Sequence, residues 1–419
     1  MPLESLLRHA VLLGASGSGK SVFGKAIVEE AIAKRLPVIV VDTQGDLASL
    51  ALGVTDNDKS LSSAKFEDRV DVKIWTPGST AGIPVSMTPT LTIPGKGRPE
   101  DRARTCTAIG RALAHFINDT SEITATGLAM IVDWANQHRV RLDAINELVK
   151  LLTAPPMALL TAPPMALLTA LAPLLDKRDA AKLAKMFLVK TIGPAGHLAS
   201  LGNPLDPDEL FGLYAGPGEP SSKGKARLSI VSLAALQADE RQQFVAALCT
   251  AIYRWMVTLD GGAGPWMLFI DECSPYLPPV MKPVAKEPLS LLLRQARKFA
   301  VGIVLATQSP GDLDFTCLGQ VGTVAIGKLS TRQEIQKIAP ALAAHGASPE
   351  LLASLPTKQP GEFVIMSHAL TSPVEFQARR TITPHRIVGI DEIEQLVSDD
   401  DRAELGGMRT ISPAAAPAS

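Results

Sequence analysis

The chain has 419 residues with 41 Lys and Arg against 42 Asp and Glu, a formal net charge of −1, and 46% of its residues are hydrophobic. This hydrophobic content excludes a largely disordered protein, and the length predicts either two or three domains or one α/β domain with insertions. The balanced charge excludes a simple polybasic nucleic-acid binder, and an aromatic content of 4% disfavours a base-stacking platform for single strands.

Strand-like and helix-like apolar patterns alternate along most of the chain. The predicted strands lie at 9–14, 37–42, 70–75, 227–233, 266–271, 301–307, 323–327, 362–366 and 374–379. The predicted helices lie at 20–34, across 100–190, and at 239–259, 289–298, 331–339 and 349–354. Residues 193–225 are rich in Gly and Pro and are predicted to form loops. Such alternation predicts a mostly parallel sheet covered by helices on both faces.

The domain organisation follows from where this alternation is interrupted. We expect a first part of an α/β core at 1–98, a helical insertion at 99–192 and the second part of the core at 193–385. A C-terminal tail at 386–419 is acidic and then rich in Ala and Pro, and we predict that it is mobile.

Two features bear on the compartment. Cys106, Cys249, Cys273 and Cys317 form no C-x-x-C pair, which predicts free thiols in a reducing cytoplasm. Residues 151–175 carry no charge, but they contain five prolines, so no membrane span is predicted there. This segment repeats LLTAPPMA at 151–158 and 159–166 and continues with LLTA at 167–170, a local duplication whose role the sequence leaves open.

The strongest motif has the pattern G-x-x-x-x-G-K-[ST] and lies between the first strand and the first helix. Its glycines let backbone N–H groups turn toward phosphates, its lysine reaches the β- and γ-phosphates, and its final hydroxyl binds Mg²⁺. The predicted phosphate-binding residues are Gly14, Ala15, Ser16, Gly17, Ser18, Gly19, Lys20 and Ser21.

Two acids follow the apolar strand at 267–270. Because parallel strands end at the ligand crevice, Asp271 is predicted to hold Mg²⁺ together with Ser21. Glu272 is then placed to polarise the attacking water. The next strand ends in Gln308, which either senses the γ-phosphate and holds the water or caps a turn. Arg297 either complements a helix dipole or serves as an arginine finger on a neighbour's nucleotide.

With these motifs the chain resembles the HerA/FtsK superfamily of P-loop motor ATPases, and within it the HerA-like helicase branch. The runs that carry the resemblance are GASGSGKS (14–21), VVDTQGDL (40–47), MLFIDE (267–272), RKFAVGIVLATQSP (297–310) and LPTKQPGEFVIM (355–366). The resemblance implies a RecA-like core with an extra strand between the phosphate-loop strand and the Asp-Glu strand. It also implies a homohexameric ring that couples hydrolysis of ATP with Mg²⁺ to movement along double-stranded DNA.

The resemblance also assigns roles to single residues. It gives Lys20 and Ser21 the phosphate and Mg²⁺ roles, Asp271 the metal role and Glu272 the catalytic base. Gln308 takes the sensor role, and Arg297 becomes a finger supplied to the adjacent subunit. Only 13 residues precede the motif, so we expect the N-terminal β-barrel of HerA-type proteins to be absent, which leaves open how a partner nuclease docks.

Three functions remain open from the sequence. One is a DNA-translocating motor, with a nuclease or a defence effector as partner. The second is a conjugation- or secretion-type pump ATPase, and the third is an ATP-gated assembly module with slow hydrolysis. The charge distribution permits DNA binding, since 391–405 holds seven acids and one Arg, whereas 96–111 and 177–190 are each basic.

Overall fold

The computed structural model describes residues 7–405, apart from 55–60, 90, 92–98, 120, 139, 141, 143–144, 154–174, 194–195, 214–223 and 259–264. The LLTAPPMA repeat lies outside the described residues from 154 onward. Within the described part of the chain, no helix is long and apolar enough to cross a membrane.

A nine-stranded sheet forms the centre of the molecule, and a separate two-stranded sheet lies beside it. The strands are β1 (Ala10–Leu13), β2 (Val38–Asp42), β3 (Val70–Trp75), β4 (Val85–Pro89), β5 (Asn203–Leu205), β6 (Ala226–Ser232), β7 (Trp266–Ile270), β8 (Val301–Thr307), β9 (Thr323–Ile326), β10 (Glu362–Ser367) and β11 (Val374–Gln377). The large sheet has the order β11-β10-β9-β1-β8-β7-β2-β6-β3, and β4 pairs with β5. In the large sheet β10 runs antiparallel to both of its neighbours, β9 and β11, and the strands from β9 to β3 are parallel to one another.

The helices are α1 (Lys20–Ala33), α2 (Leu61–Arg69), α3 (Pro99–Phe116), α4 (Glu122–Gln137), α5 (Ile145–Thr153), α6 (Lys177–Ile192), α7 (Gly196–Ser200), α8 (Pro207–Leu210), α9 (Ala238–Thr258), α10 (Lys286–Gln295), α11 (Arg332–Ala344), α12 (Pro349–Ser354), α13 (Ile390–Leu396) and α14 (Asp399–Glu404). Short 3₁₀ turns join several of them, including one at Ala296–Phe299 that leads from α10 into β8.

The predicted α/β fold is confirmed, including its extra strand. β8 pairs in parallel with β1 on one side and with β7 on the other, so it separates the phosphate-loop strand from the Asp-Glu strand. All residues of β1, β2, β7 and β8 are buried, as expected for parallel strands that helices cover on both faces. The predicted strands of the large sheet agree with the observed ones to within two residues.

The helices α3 to α6 enclose a hydrophobic cluster of their own, which is distinct from the cluster around the large sheet. Ile109, Leu128 and Phe187 are among its fully buried side chains. Helices α3 and α4 cross closely at Gly110, where a Cβ would lie 2.2 Å from the carbonyl oxygen of Ala125. The apolar faces of these four helices are therefore buried mainly against one another.

One loop prediction is wrong, and one strand was not predicted. The Gly- and Pro-rich segment that starts at 193 contains α7, β5 and α8, and β5 pairs with β4, a strand that the sequence did not predict. Short elements of this kind lack a clear period, and tertiary pairing decides them.

The acidic tail is also ordered in its first part. Residues 390–404 form α13 and α14, and Ile393 and Val397, four residues apart, are both buried against the core. Asp401 pairs with Lys73 at 2.6 Å, and Arg402 donates to the carbonyl oxygen of Ala81. The many acids suggested a solvated tail, but two apolar residues at helical spacing suffice to dock it.

Candidate functional site

The Gly-rich loop connects β1 to α1 at the carboxyl edge of the sheet. Gly17 (φ 76°) and Gly19 (φ 89°) adopt the left-handed conformation that glycine tolerates best. Gly19 is the N-cap of α1, and no side chain caps the helix there. The first N–H groups of α1 and its positive dipole end are therefore available to an anion.

A second loop holds the Gly-rich loop in place. The backbone N–H of Gly361 donates to the carbonyl oxygen of Ser18 at 2.8 Å. Gly361 has φ 87°, and a Cβ there would lie 2.3 Å from Nε2 of Gln377. The run 355–366, which carried part of the resemblance without an assigned role, thus braces the phosphate-binding loop from the antiparallel edge of the sheet.

Lys20 and Asp271 meet next to this loop. The Nζ atom of Lys20 lies 3.1 Å from Oδ1 of Asp271, and the two residues are only 4% and 1% exposed. Burial raises the pKa of Asp271, and the nearby Asp46 adds to this, whereas Lys20 lowers it. The other carboxylate oxygen of Asp271, Oδ2, is buried and has no hydrogen-bond partner among the described residues.

This donor set fits a phosphate-bound magnesium ion. The described residues contain no group of three or more His, Cys, Asp or Glu side chains arranged to hold a metal by themselves. Mg²⁺ does not need such a cage, because it is usually held by one or two carboxylates together with phosphate oxygens and waters. The Oδ2 atom of Asp271, which has no partner among the described residues, and the hydroxyl of Ser21, to which the motif assigns a metal role, suit such Mg²⁺ binding.

Three donors fix the carboxylate of Glu272. The hydroxyls of Thr307 and Ser274 each donate to Oε1 at 2.7 Å, and the backbone N–H of Gln308 donates to Oε2 at 3.0 Å. Glu272 itself has φ 51°, a conformation uncommon outside glycine that recurs at functional sites. A carboxylate can accept about four hydrogen bonds, so this geometry leaves room for a water.

Sequence reasoning missed Thr307 and Ser274. It assigned the side chain of Gln308 to the water, and the structure adds a contact of the Gln308 backbone N–H with Glu272 that the sequence did not predict. The available signals were a hydroxyl-bearing residue at the end of β8 and a second one located two positions after Glu272. Both patterns are too common to identify a site.

Asp42, at the end of β2, is a further buried acid that the sequence left without a role. It accepts from the backbone N–H groups of Gly45 and Ala48, both at 2.7 Å. Burial is the largest cause that raises its pKa to about 7, with Asp46 adding to the shift. Lys25, on α1, has its pKa lowered to about 8 by burial, and it donates to Ser49 at 2.6 Å and to the carbonyl oxygen of Pro384. These contacts tie the helix after the phosphate-binding loop to both sides of the core.

Arg297 lies away from this group. It sits in the 3₁₀ turn Ala296–Phe299, immediately before β8, and its side chain is exposed. The site lies at the opposite end of β8, where Thr307 contacts Glu272. Seven extended residues span roughly 20 Å, so Arg297 does not reach the site of its own chain.

Comparisons with known proteins agree with this geometry. The family model described as "Helicase HerA, central domain" matches residues 3–138. Over 123 residues, 29% of the chain, the sequence is 29% identical to "Probable helicase MJ1565" of Methanocaldococcus jannaschii. The match spans about a quarter (24%) of the length of that protein.

Solved structures share the fold over most of the chain. The plasmid coupling protein TrwB in complex with ADP and Mg²⁺ aligns over 92% of this chain and 89% of its own, with a TM-score of 0.55 and 14% identity. VirB4 of Thermoanaerobacter pseudethanolicus aligns over 88% and 89%, with a TM-score of 0.51 and 13% identity. The first third of the chain is thus similar to the central domain of the helicase HerA, and most of the chain shares the fold of TrwB and VirB4.

Proposed function

We propose that the protein is an ATP-hydrolysing motor that moves along double-stranded DNA as a homohexameric ring. The observation that carries the proposal is the separation of the catalytic groups. Lys20, Asp271 and Glu272 gather at the carboxyl edge of the sheet, whereas Arg297 lies exposed at the amino end of β8. A ring brings these two edges of neighbouring subunits together.

ATP binds at the Gly-rich loop in this proposal. The loop N–H groups and Lys20 hold the phosphates, and Lys20 exchanges its contact with Asp271 for the β- and γ-phosphates. Ser21 and Asp271 hold the Mg²⁺ ion, whose charge offsets the negative charge on the phosphates. TrwB, whose fold is shared, binds ADP and Mg²⁺, which supports this assignment.

Hydrolysis depends on Glu272. Its carboxylate keeps one acceptor position for a water and takes the proton as that water attacks the γ-phosphate. Thr307 and Ser274 orient the carboxylate through their hydroxyls. The side chain of Gln308 stands next to them at the end of β8 and completes the water site in the proposal.

DNA binding is assigned to the exposed lysines of the basic segment 177–190 that lie outside the cleft lining. Lys177, Lys182 and Lys185 are exposed on α6. A ring repeats such segments in each subunit, so their potentials add along a phosphate backbone. A nuclease or a defence effector as partner, and the cytoplasm as compartment, remain parts of the proposal.

The deciding experiment is an ATPase assay with and without duplex DNA, at several duplex lengths and salt concentrations. We expect DNA to stimulate hydrolysis, longer duplexes to stimulate more, and Glu272→Gln to abolish both effects. Particle mass with and without ATP is measured on the same samples. If DNA leaves the rate unchanged while ATP changes the particle mass, the protein is an assembly module and the motor proposal fails.

A pump ATPase of the conjugation or secretion type is the second candidate, because TrwB and VirB4 share the fold over most of the chain. Such a pump shares the site, so the ATPase chemistry does not discriminate. Displacement of a labelled third strand from naked duplex DNA by the protein alone supports the motor. DNA-stimulated hydrolysis without displacement favours the pump.

A further inference from the structure

An open cleft of about 1350 Å³ lies between the helical block and the sheet core. Its walls come from α3 and α9, and its rim includes residues 282–288, which lead into α10. It is larger than the range of about 300–1,000 Å³ in which small-molecule pockets usually fall. The cleft is separate from the phosphate-binding loop, none of whose residues lines it.

The cleft gathers positive charge with little to balance it. Six Lys and Arg side chains line it against one acid, Glu287; they are Arg111, Lys190, Arg254, Lys282, Lys286 and Arg294. Arg111 pairs with Glu122, and Lys286 pairs with Asp314. The side chains of the other four make no ion pair or hydrogen bond within the described part of the chain.

Arg254 is the most unusual of these cations. Its Nε atom is buried and has no hydrogen-bond partner among the described residues. Burial lowers the pKa of Arg254 to about 10 and also lowers that of Lys190, and no acid offsets either effect. Arg254 is partly exposed, but a guanidinium whose Nε is buried without a partner costs folding free energy, so its presence on a cleft wall points to an anionic ligand.

The rest of the lining is mostly apolar, which narrows the class of ligand. Val257 and Val284 line the cleft and are 42% and 58% exposed, and Val280 and Met281 continue the exposed apolar surface beyond its rim. Apolar groups add nothing to the binding of a phosphate backbone, whereas exposed apolar patches are typical of protein-binding surfaces.

We propose that this cleft docks an acidic, amphipathic segment of a partner protein. Carboxylates of that segment pair with Arg254 and Lys190, and its apolar side chains cover Val257 and Val284. The volume of the cleft, its unpaired positive charge and its apolar lining residues each match such a segment. The inference does not depend on the proposed motor function, because no residue of the nucleotide site takes part.

The test is fluorescence anisotropy with the full chain and a labelled synthetic peptide in which Glu and Leu repeat at helical spacing. A peptide of the same length with Lys in place of Glu, and a poly-dT oligonucleotide, serve as comparison probes. We expect the acidic peptide to bind, the basic one not to bind, and added salt to weaken the complex. No binding of the acidic peptide, or equal binding of the basic one, overturns the proposal, and tighter binding of poly-dT replaces it with a nucleic-acid site.

Variants locate the binding. Arg254→Gln should weaken the acidic peptide by about tenfold or more, because it removes a desolvated charge from the contact. Lys337→Gln, at an exposed lysine of α11 that does not line the cleft, is the matched control and should leave the affinity unchanged. Thermal unfolding separates a binding role from a structural one. Arg254→Gln should leave the midpoint unchanged or higher, and unchanged peptide affinity in that stable variant refutes the site.

Discussion

The two ends of strand β8 differ sharply in how their functional side chains are held. At the carboxyl end, Thr307 and its neighbours fix Glu272 with three hydrogen bonds, and Lys20 is paired with Asp271. At the amino end, Arg297 is exposed, and within the described residues its side chain has no partner. The carboxyl end of β8 is preorganised within a single chain. The amino end exposes the guanidinium of Arg297 on the surface, where a neighbouring molecule can contact it.

This difference indicates what each end can do alone. The carboxyl end has the groups for binding a nucleotide and orienting a water. In the proposed function Lys20 is committed to the phosphates, and the cation that meets charge developing in the transition state is Arg297 of the neighbouring subunit. We therefore expect binding to need one chain and rapid hydrolysis to need two.

Arg297→Ala is the change that probes the amino end, and its effect should be the largest. A finger in trans contributes about 10³ to 10⁵ in rate, so hydrolysis should fall by at least about 10³-fold while ATP binding persists. A fluorescent ATP analogue reports binding, and phosphate release reports hydrolysis. Mixing Arg297→Ala with Lys20→Ala should restore part of the rate, since intact sites form between the two kinds of subunit.

The matched control for that variant is Lys298→Ala, which removes the adjacent exposed cation. It should hydrolyse normally. If Arg297→Ala hydrolyses as fast as the unchanged protein, the two ends of β8 do not cooperate and the finger assignment is wrong.

Glu272→Gln probes the carboxyl end. The substitution preserves shape but removes the proton acceptor, so the rate should fall by about 10² to 10⁴-fold, with ATP binding intact. Single-turnover measurements should show the loss in the hydrolysis step itself. Mixing with Arg297→Ala should again restore activity, whereas mixing with Lys20→Ala should not, because both of those defects lie on the same end.

Thr307→Val tests whether the hydrogen bonds around Glu272 matter beyond folding. Loss of a hydroxyl that donates to a carboxylate should slow hydrolysis by about tenfold and leave the affinity for ATP unchanged. Thr323→Val is the control. It removes a buried threonine hydroxyl that contacts Ser367, at the other end of the sheet, and should not affect the rate. Equal effects of the two variants would mean that the loss reflects folding alone.

The smallest effect concerns Asp42 and stability. Its pKa in the folded chain is raised from 3.8 to about 7, so between these values the folded state binds more protons than the unfolded state. The free energy of unfolding should therefore fall as pH rises from about 4 to about 7, and Asp42→Asn should lack this contribution. We expect the unfolding midpoint of the unchanged protein to fall by a few degrees relative to that of Asp42→Asn from pH 5 to pH 8. A gap that stays constant contradicts a raised pKa, and exposed Asp312→Asn should show no such change.

The sequence was a good guide wherever a pattern repeats or a motif is long. The apolar runs predicted the strands of the large sheet, and the motif G-x-x-x-x-G-K-[ST] predicted the turn between β1 and α1. It failed where only two apolar residues decide, as with Ile393 and Val397, which dock a segment predicted to be mobile. It also failed for β4, since the pairing with β5 joins segments more than 100 residues apart.

The sequence by itself determined the α/β architecture and predicted the groups that are proposed to meet phosphate and metal, because periodicity and short motifs are local. Only the tertiary structure decided how those groups are arranged. It placed Lys20 against Asp271, surrounded Glu272 with Thr307 and Ser274, and set Arg297 at the far end of β8. It also brought the cations around Arg254 into one cleft. The physical reason is that burial, ion pairing and the distances between side chains depend on contacts between segments that are remote in the chain. A local sequence pattern does not determine such contacts.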